Sequence, residues 1–465
     1  MNAPVLWIVI PLIISIPLLV IRNERVSVFS AAPLCALLGL IAWILPINTV
    51  YSLGSFSFKI LPSLNLLGRH LSISQSDQLY LALIYGSASF WFISAGILHL
   101  GNKVVPFGLG ILALLTASLA VDPYLYAALF IEIASLLTVP LLSDRRTPPP
   151  RGLLRFLIFQ TLAMPFILFS GWILVNIEAN PGNQTLILQA AMTLGMGLMI
   201  LLSIFPFSSW IPMLADDVSP LVAGFVFWVF PTAAVLFLSG FIEKYSWLRG
   251  SQFLPEALFS GGLLMIFLGG LFSAFQTRLS RIMAFSVVLE TGFSILALSL
   301  NSFKGSGLFV AFFIPHFLSL VSWSVSLTLI KNVAPNLEFS EVKGLLHKTP
   351  FASIGILVSG LSSAGIPVLA AFPLRLELIQ NISYRSIWTL IFISLGVVGL
   401  TIGVIRTLYV LIKVPEGEPR EGIETPAQKG IQVFYWLGLV FMGLFPQWTS
   451  LLANRLLVIF QHFGQ

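Results

Sequence analysis

Apolar runs of about 20 residues recur along nearly the whole chain, and this pattern restricts the fold more than any other feature. A helix of that length crosses the hydrocarbon core of a bilayer. Of the 465 residues, 57% are hydrophobic and only 9% are charged, whereas a soluble protein carries roughly 25% charged residues. The composition excludes a water-soluble globule and predicts an all-α, polytopic membrane protein.

We predict fourteen transmembrane spans in a single membrane domain, 1–465. Their approximate ranges are 4–21, 27–50, 78–98, 104–121, 123–143, 153–176, 185–206, 219–241, 255–275, 281–301, 306–331, 351–372, 386–413 and 430–448. The first span has no basic segment before its apolar core, so we expect it to be retained rather than cleaved as a signal peptide. The insert 51–77 contains the alternating stretch SFSFKI, which predicts a small hairpin at the membrane surface. A polar loop is expected at 414–430, where Pro, Gly and Glu are frequent.

Most basic residues fall in the loops after odd-numbered spans. Sixteen of the 24 Lys and Arg residues lie there: Arg22, Arg25, Lys103, Arg145, Arg146, Arg151, Arg155, Arg278, Arg281, Lys331, Lys343, Lys348, Arg406, Lys413, Arg420 and Lys429. Cytoplasmic loops are enriched in basic residues, so the pattern predicts that both termini lie on the non-cytoplasmic side. No basic cluster alternates with aromatic residues, so we expect no nucleic-acid partner.

Proline and glycine interrupt two of the predicted spans. The seventh span ends in PFSSWIPMLADDVSP, which contains Pro206 and Pro212. The twelfth contains SSAGIPVLAAFPLRLELI, which includes Gly365 and Pro367. Proline removes an amide donor and clashes with the preceding turn, so both spans are predicted to be broken helices.

The two interruptions occupy matching positions in the two halves of the chain. Such pairs are typical of inverted-repeat transporters, which bind their substrate near the middle of the membrane. The pattern predicts two inverted five-helix repeats, repeat A at about 104–241 and repeat B at about 255–413. Two ordinary proline kinks are the alternative.

Glu132 is an isolated carboxylate in the apolar stretch YAALFIEIASLL. Insertion of a charged group at the centre of a bilayer costs about 2.5–3.5 kcal/mol. We therefore expect Glu132 to face the bundle interior, close to the seventh span, where it titrates or binds a cation. The alternative is a carboxylate that only packs between helices and accepts a hydrogen bond from a hydroxyl.

Two adjacent aspartates, Asp216 and Asp217, follow the first interruption. We expect them on the side opposite the basic loops. There they either attract cations to a channel mouth or cap and solvate the turn before Pro220. Arg278 and Arg281 are expected to anchor the chain at the cytoplasmic interface.

The sequence contains no pattern for a cofactor, a metal or redox chemistry. Its single cysteine, Cys35, lies in an apolar run, so disulfides and Cys-based metal sites are not expected. We find no GxGxxG after a strand and no His pair at haem-ligand spacing. If a parent complex oxidises NAD(P)H or another donor, other subunits are expected to do so.

Three stretches together resemble a known family. They are FPFSSWIPMLADDVSP, QTRLSRIMAFSVVLETGFSILAL and VKGLLHKTPFASIGILVSGLSSAGIPVLAAFPLRLELI. In order and character they are similar to motifs of the antiporter-like membrane subunits of complex I (NADH:quinone oxidoreductase), of the large subunits of Mrp-type cation/proton antiporters and of membrane-bound hydrogenases. The likeness covers about 77–410. It implies a multi-subunit complex in an energy-transducing membrane, with other membrane subunits, the lipid bilayer and H⁺ or Na⁺ as partners.

The resemblance also implies a path of protonatable residues inside the membrane. Glu132 matches the acidic residue of the family's fifth helix, and His316 matches the histidine of its eleventh helix. Arg375 stands where the family has a lysine, with Glu377 retained beside it. Glu290 stands where the family usually has glutamine. These five residues are the predicted proton or ion pathway.

Other pathway positions of the family carry apolar residues here. Leu201, Val226 and Leu320 replace basic residues, and Arg375 keeps its charge because the pKa of arginine is about 12.5 or higher. We expect Arg375 to pair with Glu290 or to reach a hydrated cavity, and to act as a fixed electrostatic gate. Conduction is therefore predicted to be altered or lost.

The predicted function is that of a membrane subunit of a complex I-like or Mrp-like assembly that contributes to proton or cation translocation. A non-conducting scaffold subunit of the same kind of assembly is one alternative. An independent secondary transporter is the other.

Overall fold

The computed structural model describes residues 2–448 except 22, 54–55, 67, 144–147, 180–182, 246–247, 249–252, 301–302 and 414–421. Four of the basic loop residues lie outside the described residues: Arg22, Arg145, Arg146 and Arg420. The first half of the predicted polar loop, 414–421, also lies outside them.

Sixteen α-helices make up most of the described chain. They are α1 Ile10–Val20, α2 Glu24–Ile44, α3 Gln78–Ile97, α4 Gly101–Ala120, α5 Ala127–Leu142, α6 Arg151–Ala179, α7 Gln184–Leu201, α8 Trp210–Asp217, α9 Pro220–Lys244, α10 Phe253–Phe275, α11 Leu279–Leu298, α12 Phe303–Lys331, α13 Pro350–Ala364, α14 Ala371–Ile382, α15 Ile387–Ile412 and α16 Pro426–Leu444. Within the described residues, eleven helices are long and apolar enough to cross a membrane, and Val5–Val20 and Pro350–Ala364 are shorter apolar helices. Each predicted span coincides with a helix or with a broken pair, which confirms the all-α, multi-span class.

The insert before α3 contains two hairpins. Strand β1 (Val50–Leu53) pairs antiparallel with β2 (Phe56–Lys59), which confirms the hairpin predicted from SFSFKI. Strand β3 (Ser63–Leu66) pairs antiparallel with β4 (Arg69–Ser72). A short strand directly after α4, β5 (Val121–Asp122), adds to β4.

Polar residues fix the beginnings of several helices. The side chains of Asn23, Asn183 and Ser386 accept hydrogen bonds from backbone amides in the first turns of α2, α7 and α15. Thr425 and Gln428 form a capping box at the start of α16. These caps satisfy amides that have no partner inside the helix, so these polar residues set where α2, α7, α15 and α16 begin.

Backbone contacts group the described residues into two compact units. The first comprises residues within 1–149, 153–202 and 229–250, and the second comprises those within 150–152, 203–228 and 251–465. The segment that follows α7 thus belongs to the second unit.

Helix lengths in the two predicted repeats correspond. The third helices, α6 and α12, both have 29 residues, and the fifth helices, α9 and α15, have 25 and 26 residues. The fourth position is a broken pair in each case, α7 with α8 and α13 with α14. The inverted symmetry itself stays a prediction.

Candidate functional site

The first break separates α7 from α8. Helix α7 ends at Leu201, α8 begins at Trp210, and Pro206 lies between them. Ser203 adopts a φ of 56°, and the indole nitrogen Nε1 of Trp210 donates to its hydroxyl at 2.8 Å. The predicted break is present. Pro212 lies beyond it as the third residue of α8, where no intrahelical partner for an amide is required.

The second break separates α13 from α14. Helix α13 ends at Ala364 and α14 begins at Ala371, with Pro367 in the intervening turn. Gly365 adopts a φ of 74° and its amide donates to the carbonyls of Leu361 and Ser362. Glycine reaches this left-handed conformation without a steric penalty, which is why it ends many helices. The interrupted twelfth span is therefore a real break centred on Gly365.

An ion pair lies beside the second break. Nη2 of Arg375 on α14 contacts Oε1 of Glu290 on α11 at 2.8 Å, and each side chain is only 4% exposed. The guanidinium carbon lies 4.1 Å from the centre of the Phe293 ring. A Cβ added to Gly365 would lie 2.9 Å from Cδ and 3.0 Å from Nη1 of Arg375. The left-handed glycine thus leaves room for the arginine, and the expected pair with Glu290 is formed.

The pair leaves part of the guanidinium without a partner. Within the described residues, Nε and Nη1 of Arg375 are buried and have no hydrogen-bond partner. A guanidinium has five N–H donors, and desolvated charges cost several kcal/mol per ion unless their hydrogen bonds are made. One carboxylate contact uses only part of this donor set, so the guanidinium keeps donors for further acceptors.

His316 on α12 belongs to the same electrostatic environment. Its side chain is partly buried, and the charged groups that act on it are Glu290 and Arg375. Glu377, in contrast, is exposed. It lies two residues from Arg375 on α14, and side chains at that spacing do not face each other. The structure thus brings Glu290 and Arg375 into direct contact and places His316 within the range of their charges.

Glu132 lies in the first unit, on α5. Thr161 of α6 donates to its Oε1 at 2.7 Å, while its Oε2 is buried without a hydrogen-bond partner in the described residues. The neighbouring side chains of Leu129, Ile133 and Leu136 are 47%, 47% and 51% exposed. The expectation of an interior carboxylate is therefore met only in part. Glu132 is half-buried at the edge of an exposed apolar stripe, and its hydroxyl partner comes from the sixth span.

The positions that carry apolar residues are tightly packed. Leu201, Val226 and Leu320 are 4%, 0% and 3% exposed. Their side chains offer no group that can bind or release a proton. Each unit therefore lacks charge at a position where the resemblance implies a basic residue.

Asp216 at the end of α8 contacts basic residues. Its Oδ2 lies 2.6 Å from Nε of Arg281 and 3.5 Å from Nη1 of Arg278, and Ser280 donates to its Oδ1 at 2.8 Å. Arg278 also pairs with Glu338 at 2.6 Å, a contact that raises the pKa of Arg278 above its ordinary value. The prediction that Asp216 lies opposite the basic loops is wrong, because α8 ends beside the beginning of α11, where these basic residues lie.

Asp217 is bonded to a different helix. Its Oδ2 accepts from the backbone amide of Gly152, in the first turn of α6, at 2.9 Å. Carboxylates at helix N-termini are stabilised by the unpaired amides and the helix dipole. The two adjacent aspartates thus hold the end of α8 against the first turns of α6 and α11. The sequence gives no signal for this arrangement, because the partners lie about 65 residues away on either side.

Metal ligands do not cluster in the described part of the chain. No group of three or more His, Cys, Asp or Glu side chains there is placed to hold a metal ion. The chemistry that the described site offers is the pairing of the Glu290 carboxylate with the Arg375 guanidinium, with the imidazole of His316 in the same environment.

Comparisons with known proteins agree with this architecture. Residues 127–401 match the family described as "NADH:quinone oxidoreductase/Mrp antiporter, TM". The chain is 27% identical over 280 residues to NADH-quinone oxidoreductase subunit N 1 of Koribacter versatilis, covering 58% of this chain and 53% of that protein. It is 23% identical over 283 residues to subunit N of Desulforamulus reducens, covering 59% and 58%. The chain spans about half the length of these curated relatives.

Solved structures share the fold at lower identity. The Mrp complex of a Dietzia species gives a TM-score of 0.81 at 14% identity, covering 99% of this chain and 97% of that chain. The archaeal membrane-bound sulfane sulfur reductase gives 0.79 at 16%, covering 98% and 97%. Respiratory complex I from Thermus thermophilus gives 0.75 at 16%, covering 98% and 99%. The resemblance inferred from the three motifs is confirmed.

Proposed function

The chain belongs to the NADH:quinone oxidoreductase/Mrp antiporter transmembrane family, and from this premise we propose that it is a membrane subunit of a complex I-like or Mrp-like assembly that contributes to proton or cation translocation. The observation that carries the proposal is the buried pair of Glu290 and Arg375 beside the break at Gly365. Ionisable residues inside a membrane are costly and generally mark ion or proton pathways.

The three clustered residues have different roles in this proposal. Arg375 stays charged at every physiological pH and acts as a fixed counter-charge. Glu290 balances that charge while it is ionised, and His316 is the group whose ordinary pKa lies nearest neutrality. A proton that arrives at His316 adds positive charge to the environment of the pair. A proton that arrives at Glu290 leaves Arg375 without its counter-ion.

Transport through this chain is therefore centred on the second break, at Gly365. The break at Gly365 has charged groups beside it, whereas Leu201 and Val226 are buried and apolar. Glu132 contributes from the edge of the first unit, where its exposed apolar neighbours fit a protein surface covered by another subunit. The distribution of basic residues supports a non-cytoplasmic side for both termini, in an energy-transducing membrane.

Proteoliposomes that contain the whole assembly test the proposal. We expect Glu290→Gln to reduce translocation at least tenfold and Arg375→Lys to change its pH dependence, since lysine titrates when buried and arginine does not. Thr291→Val, a buried change one residue from Glu290 on α11, is the control and should leave translocation unchanged. Imposed H⁺ and Na⁺ gradients in the same vesicles identify the ion.

A scaffold role is the second candidate, and the buried Leu201, Val226 and Leu320 favour it. It predicts that Arg375→Lys and Arg375→Ala both leave translocation intact while Arg375→Ala weakens assembly. That result would overturn the proposed conduction. A blue-native gel tests the third alternative, an independent transporter. In that case the chain should migrate near its own mass and not with a larger assembly.

A further inference from the structure

We propose that a groove between α2 and α3 binds one phospholipid with an anionic headgroup. The groove has a volume of about 620 Å³, within the 300–1,000 Å³ that is typical of ligand sites. It lies in the first compact unit and shares no residue with the ion-pair site. The inference therefore does not depend on whether the chain conducts ions.

The inner part of the groove is apolar. Small side chains form its base, where Ala32 of α2 and Ser89 of α3 are 4% and 6% exposed. Larger side chains flank it, with Phe29 of α2 80% exposed and Ile93 of α3 39% exposed. Small residues between large ones leave a depression on a hydrophobic surface. A hydrocarbon chain is the ligand that such a depression accepts.

The length of the groove matches one leaflet. Its lining on α2 extends from Glu24 to Ala36, which at 1.5 Å per residue corresponds to about 18 Å. The hydrocarbon core of a bilayer is about 30 Å thick. The groove thus begins at one interface and ends near the middle of the bilayer. A transmembrane helix of a partner would need a groove along the whole span, whereas a lipid of one leaflet needs only this length.

The outer end of the groove carries the charge that a phosphate requires. Arg25 is exposed and forms no ion pair with any described residue, whereas the carboxylate of Glu24 is already engaged. Oε1 of Glu24 accepts from the amide of Gly101 at 2.6 Å, and its Oε2 lies 3.5 Å from Nδ1 of the largely exposed His99. Arg25 therefore remains available for a charge-assisted hydrogen bond to a lipid phosphate.

Glycine brings the polar end together. A Cβ on Gly101 would lie 2.8 Å from Cγ2 of Val28 and 2.9 Å from Cγ of Glu24, and one on Gly96 would lie 3.0 Å from Val28. Only glycine permits this close approach of the start of α2 to the turn before α4. The basic Lys103 follows in the first turn of α4. Anionic lipids are attracted to such basic segments on the cytoplasmic side, which is the side predicted for this end.

Native mass spectrometry of the full assembly, released in mild detergent and titrated with phosphatidylglycerol or phosphatidylcholine, tests the proposal. We expect Arg25→Gln to weaken phosphatidylglycerol binding about fivefold, the usual effect of one basic residue near an anionic lipid. Ala36→Trp fills the groove and should abolish retention of that lipid. The matched controls are Lys413→Gln, which removes a basic residue elsewhere, and Leu40→Trp, which enlarges an exposed residue one turn along α2. Both controls should bind as the unaltered chain does.

A photoreactive p-benzoylphenylalanine in place of Phe29 provides a second readout that does not depend on the folding of the tryptophan variant. Irradiation in membranes should yield a phospholipid adduct on this chain. An adduct with another protein would overturn the proposal, since the groove would then seat a partner subunit. Equal affinity for the two lipids, or unchanged binding after Arg25→Gln and Ala36→Trp, would overturn it as well.

Discussion

The two helix breaks have similar backbone conformations but different side-chain contacts. Each begins with a left-handed residue, Ser203 in the first break and Gly365 in the second. Each continues into a short helix whose third residue is proline, Pro212 in α8 and Pro373 in α14. The first break is closed by a neutral hydrogen bond from Trp210, whereas the second lies beside a buried ion pair.

This difference shows that backbone interruption and charge placement are separate properties. The break supplies unpaired backbone groups and a change of direction, which proline and glycine are sufficient to produce. The charge is supplied by side chains from other helices, Glu290 above all. A chain can therefore have a break without an ion pair beside it, and the hydrogen bond described at the first break is neutral.

The largest expected effect on stability comes from removing one partner of the ion pair at the second break. Removal of one partner of a buried pair typically costs about 3–5 kcal/mol, so Glu290→Gln should strongly lower the thermal unfolding temperature of the solubilised assembly. The double variant Glu290→Gln with Arg375→Gln should be less destabilised than the single variant, because no unpaired charge remains. If the two variants are equally destabilised, Glu290 and Arg375 do not stabilise each other. The ion pair would then not distinguish the second break from the first.

Gly365→Ala should be the next most damaging change. A left-handed conformation costs a residue with a Cβ about 1–2 kcal/mol, and here the Cβ also meets Arg375 at 2.9 Å. Overpacking adds about 1–3 kcal/mol. Gly195→Ala on α7 is the matched control, because nothing lies within 4 Å of its added Cβ, and thermal unfolding of the two variants should differ by several degrees. Equal stability of the two would show that the glycine is dispensable.

Asp216→Asn should have an intermediate effect at the end of α8. It weakens the contacts with Arg281 and Arg278, which are partly exposed, so we expect a loss of about 1–2 kcal/mol. The contact with Glu338 raises the pKa of Arg278. The stabilisation from its charge is complete below its ordinary pKa, which is far above neutrality, and is lost only as the pH rises through the raised pKa. The difference between variant and unaltered chain, measured by thermal unfolding, should be constant from pH 6 to 9; a strong pH dependence would contradict it.

Ser203→Ala should give the smallest effect, since it removes one neutral hydrogen bond from Trp210 at the first break, worth about 1 kcal/mol. Translocation by the assembly should be unaffected. Trp210→Phe removes the same bond from the other side and also leaves a cavity where part of the buried indole was, so it should cost more than Ser203→Ala. The double variant should cost little more than Trp210→Phe alone. A large loss of translocation in these variants would show that the first break takes part in transport.

The apolar runs and the positions of Pro and Gly predicted much of the fold. The apolar runs located every span, because each span must satisfy its own backbone hydrogen bonds within the membrane. The Pro and Gly pattern located both breaks. It did not locate where the second helix of each pair begins, because Pro212 and Pro373 are tolerated in the first turn of a new helix and do not mark the break itself.

The site was less accessible to sequence reasoning, because it depends on contacts between distant segments. The pair of Glu290 and Arg375 was expected from the cost of an unpaired buried charge. The partners of Asp216 were not, because two neighbouring carboxylates look the same whether they face water or cap two helices. The half-exposed position of Glu132 was also missed, since hydropathy does not show which side of a helix faces the bundle.

The double anchorage of α8 limits how the chain can change in length. This helix has only eight residues, and its last two carboxylates each hold a different helix. Deletion or insertion of one residue would rotate both aspartates by about 100° around the helix axis, since there are 3.6 residues per turn. Both anchors would then be lost in one event. We therefore expect related sequences to differ in composition between the first break and α9 but to keep the same number of residues there.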